Sequence, residues 1–159
     1  MNKLARISAI VLVFTTCIII AAAPIGPMPG IFIGGAETPA PDNWGNIANR
    51  DEIRLRVQGI IPRVVIIWVV DVDNELYVVG SRKSGWVEMI GDGANVQMRT
   101  GDNTYNLNAV KVTSGLEPIV IAYADKYRAD YPDIVGSFPT TVSEAQNAVG
   151  VFKLERAAL

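Results

Sequence analysis

The N-terminal stretch constrains this chain most, because charge is absent from a long part of it. Every residue from Ile7 to Ala36 is uncharged, and the part up to Ala23 is almost wholly apolar. Lys3 and Arg6 precede the run. A basic flank followed by about 20 apolar residues is typical of a transmembrane signal anchor or of a cleaved signal peptide.

A retained anchor is the favoured interpretation of this run. Residues 21–23 are alanines that resemble a signal-peptidase site, but Pro24 follows them directly and is unfavourable just after a cut. We therefore predict a transmembrane signal anchor over residues 1–25. Because basic flanks stay cytoplasmic, we expect a single-pass protein of a bacterial inner membrane with its C-terminal domain in the periplasm. The lipid bilayer is the first expected partner, and other membrane-protein subunits are further candidates.

Prolines and glycines follow the anchor and interrupt any helix there. They predict a Pro/Gly-rich linker over residues 26–50, in which Trp44 is a candidate plug for the domain that follows. Residues 51–159 are predicted to form that folded domain.

Composition excludes several kinds of chemistry. The chain of 159 residues has no histidine and one cysteine, Cys17. A Ser-His-Asp triad, a histidine metal site and an internal disulfide are therefore excluded, and neither a metal nor haem is an expected cofactor. The net charge of −2 argues against nucleic acid as a partner, since nucleic-acid binding usually needs a basic surface.

The pattern of the folded domain is mainly that of β-strands. Ile53, Leu55 and Val57 alternate with charged residues, which is typical of a half-buried strand. Residues 63–70 are a β-branched run around Trp68, which predicts a strand buried on both faces. Four further strands are predicted over residues 75–79, 95–99, 104–112 and 149–154, with turns at 71–74 and 100–103.

Helices are few in this pattern. A short helix is predicted over residues 85–90, and Ser114 and Glu117 form a capping box for the one main helix, which Pro132 ends. Tyr123 and Tyr127 share the apolar face of that helix and are interpreted as packing residues. The fold class is therefore mainly β (α+β), a six-stranded antiparallel barrel, closed or half-closed, with one main helix.

Two groups of residues are candidates for binding an anion. Ser81, Arg82, Lys83 and Ser84 lie between a strand and a short helix, where cations, hydroxyls and backbone amides suit a phosphate. The alternative is a solvated basic turn. Arg63 opens the most apolar strand, and it either holds an anion or is a charge at the barrel rim.

These residues resemble a known group of proteins. Arg63 to Ile67, then Tyr77 and Ser81-Arg82-Lys83, resemble the flavin-binding stretch of pyridoxine-phosphate oxidases. The run from Leu76 to Ser81, Trp86 and the Ala-x-x-Val element at Ala109–Val112 is similar to deazaflavin-dependent nitroreductases. Asp92-Gly93-Ala94-Asn95 replaces the usual Asn-Pro, and the substrate-side histidine of the oxidases is missing. The oxidases' own activity is therefore not predicted.

The resemblance implies a split β-barrel and a flavin cofactor, and it permits a homodimer through the barrel. FMN is the implied cofactor, with a deazaflavin less favoured. Arg63 and Arg82-Lys83 would hold the phosphate, while the strand from Val65 to Trp68 would line the ring. The full set of implied cofactor-binding residues is Arg63, Val65, Ile66, Trp68, Ser81, Arg82, Lys83 and Ser84.

Three functions remain open. The first is a membrane-anchored, flavin-dependent reductase of quinone-like or nitro compounds. The second is a non-catalytic accessory subunit of a membrane complex, which contacts partners through its anchor and barrel. The third is a binding module for a small anion or a haem-like ligand.

Overall fold

The computed structural model describes residues 23–157 apart from 27, 138–143, 145 and 146. The predicted anchor therefore lies outside the described residues, except for residues 23–25, which are not helical. Among the helices that are described, none is long and apolar enough to cross a membrane.

In the described residues, eight strands form one mainly antiparallel sheet in the order β3-β2-β6-β7-β8-β5-β4, and β1 adds to β7 in parallel. The strands are β1 Ala36–Glu37, β2 Glu52–Val57, β3 Arg63–Trp68, β4 Val70–Val72, β5 Glu75–Ser81, β6 Gly93–Thr100, β7 Asn103–Lys111 and β8 Val149–Arg156. All six predicted strands are present, and the mainly β class is confirmed. The predicted total of six is too low, because β1 and β4 are additional short strands.

The sheet curls so that its two ends meet at Val69. The first and last strands in the sheet order are β3 and β4, and only Val69 separates them along the chain. The prediction of one strand buried on both faces is therefore wrong. β3 is an end strand of the sheet, and its side chains from Val65 to Trp68 are only half-buried.

Trp44 plugs the barrel as predicted. It is fully buried in the core, and it packs edge-to-face on Tyr105 with ring centroids 5.6 Å apart. Its backbone N–H donates to Asn74 Oδ1 at 3.0 Å, and the Arg156 guanidinium lies 4.9 Å from its ring. The helix that follows it, α1 (Gly45–Ala48), is a single turn.

The second helix, α2, covers Gly85–Ile90 as predicted, and its Trp86, Val87 and Ile90 side chains are buried. Gly80 and Gly150 are directly paired across β5 and β8. A Cβ on Gly80 would overlap the Trp86 ring, and one on Gly150 would stand 2.7 Å from Val87. The two glycines therefore make the room in which α2 packs.

The main helix, α3, covers Glu117–Tyr127, and a short helix, α4, covers Pro132–Gly136. The predicted capping box is wrong. In the described structure Leu116 is the N-cap and no side chain caps the helix, because Gly115 at φ +64° turns the chain between Ser114 and the helix.

The first half of the predicted linker lies against the sheet. Gly30 exchanges two backbone hydrogen bonds of 2.8 Å with Val64 on β3. Further along, Ile33 O accepts from Arg99 on β6 at 2.8 Å, and Gly34 O accepts from Thr104 on β7 at 2.6 Å. We call residues 28–37 the N-terminal strap.

Candidate functional site

Two pockets meet along strand β3. The first, which we call the apolar cavity, has a volume of about 390 Å³ and lies between β3, β5, β8 and helix α3. It is lined by Glu52, Ile66, Ile67, Trp68, Val79, Gly80, Ser81, Leu116, Val120, Tyr123, Ile134, Val149 and Val151. These are mostly aliphatic and aromatic side chains, which suit the flat face of an apolar ring.

Tyr123 and Tyr127 of α3 support one side of this cavity. Trp68 stacks on Tyr127 with centroids 4.3 Å apart and planes 9° from parallel. The Tyr127 hydroxyl accepts from Val69 N–H at 3.0 Å and donates to Asp51 O at 2.6 Å. The Tyr123 hydroxyl accepts from Val79 N–H at 3.1 Å and donates to Trp68 O at 3.0 Å. These hydroxyls satisfy backbone groups where the sheet splits, so the packing role predicted for the tyrosines is extended by a polar one.

Burial keeps the Tyr123 and Tyr127 hydroxyls protonated. Burial raises the pKa of Tyr123 well above its usual range, and it also raises the pKa of Tyr127. Burial likewise lowers the pKa of Lys126, whose ammonium donates to Arg50 O and Val69 O. Near neutral pH the two tyrosines therefore act as structural donors and not as acids.

The second pocket, which we call the basic pocket, has a volume of about 350 Å³ and lies at the start of β3. It is lined by Gly26, Met28, Pro29, Arg63, Val65, Ile66, Ile67, Lys83, Ser84, Gly85 and Trp86. The strap and the residues just before it therefore form one wall, and the turn between β5 and α2 forms the other.

Arg63 occupies this pocket without using all of its donors. Its Nε is buried and has no hydrogen-bond partner among the described residues. Its guanidinium lies against Gly85, where an added Cβ would stand 2.9 Å from Nη1. A buried unpaired donor is unfavourable, so an acceptor placed in the pocket would be bound by Arg63.

The eight predicted site residues fall into these two pockets with one exception. Arg63, Val65, Lys83 and Ser84 line the basic pocket, Trp68 and Ser81 line the apolar cavity, and Ile66 lines both. Arg82 lies outside both, where it is exposed and its Nε donates to Val149 O at 3.3 Å. The cofactor role of this set stays a prediction.

The walls from α3 and from the start of the strap were not predicted as parts of the site. Leu116, Val120 and Tyr123 share one helical face, and that spacing was the available signal. For Met28 and Pro29 there is no periodic pattern to read. Within the described ranges, no group of three or more Cys, Asp or Glu side chains is placed to hold a metal.

Comparison with known proteins supports the fold. No protein-family model and no curated protein matches the chain. A general stress protein 26 from Jannaschia sp. CCS1 has a similar structure, with a TM-score of 0.51 and 10% identity over 72% of this chain and 71% of that chain. HutZ, the heme storage protein from Vibrio cholerae, has a TM-score of 0.46 and 14% identity over 69% and 84%. An F420 reductase has a TM-score of 0.41 and 14% identity over 75% and 97%.

At these identities the likeness concerns the fold alone, and the stress protein is the one of the three whose TM-score exceeds 0.5. The TM-score of 0.51 over 72% of this chain supports a shared architecture with the stress protein. The chain is a mainly β protein with the split β-barrel fold.

Proposed function

We propose that this chain is a flavin-binding reductase of the split-barrel type, with FMN as its cofactor and a quinone-like or nitro compound as its substrate. One observation carries the proposal. The basic pocket and the apolar cavity share Ile66 and Ile67, so that a cationic site adjoins an apolar slot along one strand. FMN has the complementary shape, with a phosphate at one end and a flat ring at the other.

The described residues fit this group. Both pockets fall within the range of about 300–1,000 Å³ that is usual for cofactor sites. The phosphate would accept from the guanidinium of Arg63 and pair with Lys83, both of which line the basic pocket. Ser84 is available as a further donor, since its side chain caps no helix within the part of the chain that is described.

When bound, the flavin would supply hydride or electron transfer. The chain's own residues would bind and orient it. Arg63 and Lys83 would fix the phosphate, while Ile66 and Trp68 would cover the ring and exclude water. Because the Tyr123 hydroxyl is tied to backbone groups, a proton for the reduced substrate would come from solvent at the mouth of the cavity.

The test uses the full chain purified in mild detergent. We expect a yellow protein with an absorbance band near about 450 nm, and binding of added FMN by preparations that have lost it. Arg63→Gln should raise the Kd for FMN about tenfold or more, because a charge-assisted bond to phosphate is lost. Arg128→Gln, on an exposed arginine at the end of α3, is the matched control and should leave the Kd unchanged. A colourless protein that ignores FMN would refute the proposal.

The same titration, carried out with F420 or haem in place of FMN, distinguishes FMN from these two cofactors. A deazaflavin such as F420 is less favoured, because its use outside the cytoplasm would require export. Haem is disfavoured because the chain has no histidine and the Tyr123 and Tyr127 hydroxyls are bonded to backbone. Mass measurement of the same preparation would test the homodimer.

The second candidate is the non-catalytic accessory subunit, and exposed apolar residues at one end of the barrel favour it. Ile60 and Ile61, in the loop before β3, are 105% and 72% exposed, and Met28 and Phe32 of the strap are 66% and 68% exposed. Because Gly30 pairs with the second residue of β3, both sets lie at the same end of that strand. The apolar run of residues 7–23 precedes the strap in the sequence, and we propose that this end of the barrel faces the bilayer.

A spin label would test this orientation in full chains reconstituted in phosphatidylcholine vesicles. In a Cys17→Ser background, a label at Ile61→Cys should be shielded from aqueous relaxation agents. A label at Asp73→Cys, in the turn between β4 and β5, should remain accessible. Equal accessibility of the two labels would refute the orientation. The accessory role itself predicts co-purification in a larger detergent-stable assembly, and a monodisperse protein without companions would count against it.

A further inference from the structure

A third pocket, of about 300 Å³, lies where strands β2 and β6 part. The ladder between them ends at Arg54 and Arg99, although β2 extends beyond it to Glu52 and β6 to Thr100. We call this opening the arginine pocket, because Arg50, Arg54 and Arg99 line it together with Thr100.

The charges in the arginine pocket are poorly balanced. Arg54 and Arg99 occupy directly opposite positions on the two strands, and like charges placed opposite each other destabilise a sheet. Across the described residues, no ion pair joins Arg50, Arg54 or Arg99 to a carboxylate. Glu52 is the one acidic side chain in the lining, so the pocket has an excess of two positive charges.

Arg99 is held in place by the protein itself. Its Nε donates to Gly101 O at 2.9 Å, and its Nη1 donates to Ile33 O of the strap at 2.8 Å. A guanidinium has five N–H donors, and these two bonds leave three for another acceptor. The strap therefore positions a cation at the pocket before any ligand arrives.

We propose that the arginine pocket binds a phosphate group as a dianion, through the guanidinium groups of Arg54, Arg99 and Arg50. Two negative charges match the excess of two positive charges, and arginine is well suited to phosphate oxygens. The phosphate is either inorganic or the end of a larger ligand such as a lipid headgroup. This site is separate from the flavin phosphate site, since Ile66 is the one residue that lines both pockets.

The experiment is a calorimetric titration of the full chain in mild detergent with inorganic phosphate, with ionic strength held constant by sodium chloride. Arg54→Gln should raise the Kd for phosphate about tenfold or more. Arg50→Gln, on the one exposed arginine of the three, should raise it by a smaller factor with unchanged circular dichroism. Arg128→Gln removes the same charge elsewhere and should have no effect.

A second arm identifies the source of the phosphate. If a lipid headgroup is the ligand, flotation with phosphatidylcholine vesicles that contain phosphatidic acid should depend on Arg54. If free phosphate is the ligand, Arg54 should affect the calorimetric titration and not the flotation. Three results would overturn the proposal: no binding beyond chloride in either arm, equal losses in Arg54→Gln and Arg128→Gln, or loss in Arg63→Gln with none in Arg54→Gln. The last would assign the phosphate to the basic pocket.

Discussion

The two ends of strand β3 differ in whether their buried polar groups have hydrogen-bond partners. At the end that reaches Trp68, the Tyr123 and Tyr127 hydroxyls and the Lys126 ammonium bond to the backbone where the sheet splits. At the end that begins with Arg63, a buried donor is left without a partner among the described residues. The strand therefore has one end whose polar groups are satisfied internally and one end that can receive a ligand.

This difference separates the residues that stabilise the fold from those that are available to bind a ligand. A split barrel must satisfy backbone groups where neighbouring strands separate, because a buried unpaired amide costs about 1–3 kcal/mol. The tyrosines do this at the Trp68 end. Substitutions there should lower stability, whereas substitutions at the Arg63 end should change ligand affinity and leave stability nearly unchanged.

Removal of a whole ring at the Trp68 end should have the largest effect. Tyr127→Ala deletes a buried ring that stacks on Trp68, together with the partner of Val69 N–H. We expect the free energy of unfolding to fall by about 3–5 kcal/mol, as measured by urea denaturation. Tyr131→Ala, a more exposed ring against the same Trp68, is the control, and an equal loss there would contradict the comparison.

Removal of one hydroxyl should have an intermediate effect. Tyr123→Phe keeps the ring and leaves Val79 N–H without its acceptor, so we expect a loss of about 1–3 kcal/mol in the free energy of unfolding. The affinity for FMN should change little, because the hydroxyl faces backbone groups and not the pocket. A normal unfolding midpoint with impaired FMN binding would reverse the roles assigned to the two ends.

Alkaline pH should weaken the Trp68 end selectively. The raised pKa values of Tyr123 and Tyr127 mean that the native state keeps protons that the unfolded chain loses above about pH 10. The contribution of these tyrosines to the free energy of unfolding is therefore fully present below pH 10. Above pH 10 it falls, by about 1.4 kcal/mol per buried tyrosine at pH 11. Lys126, with its lowered pKa, acts in the opposite direction below pH 10.5. Tyr123→Phe should show a shallower decline, and an identical pH profile would exclude this origin.

The smallest change in stability is expected at the Arg63 end. Arg63→Met keeps an apolar stem of similar length and removes the buried donor that has no partner within the described residues. We expect the free energy of unfolding to stay the same or to rise by up to about 1 kcal/mol. A loss of more than about 2 kcal/mol would show that Arg63 stabilises the fold in the absence of ligand.

Local pattern predicted the strands well because each has its own signal. Ile53, Leu55 and Val57 alternate, and the structure buries all three side chains in the core. Contacts distant in sequence have no such signal. The strap pairs Gly30 with Val64 and Ala36–Glu37 with β7, yet its sequence shows only prolines, glycines and apolar residues without a period.

The capping box shows a different limit of prediction. Ser114 and Glu117 have the right spacing, but Gly115 adopts a left-handed conformation and Pro118 in the first turn favours a start at Glu117. At the candidate site, Arg63 and Lys83 could be grouped on the resemblance, whereas Arg82 could not be excluded. The direction of a side chain in a turn depends on the strand beside it, here β8, which accepts the Arg82 hydrogen bond.

The most direct test of the account compares FMN with riboflavin, which lacks only the phosphate. Affinities for both should be measured on the full chain and on Arg63→Met under the same detergent conditions. We predict that the wild-type chain binds FMN about tenfold or more tightly than riboflavin, and that Arg63→Met removes this preference while its affinity for riboflavin is retained. Equal affinities in the wild-type chain, or a preference that survives Arg63→Met, would contradict the assignment of the basic pocket.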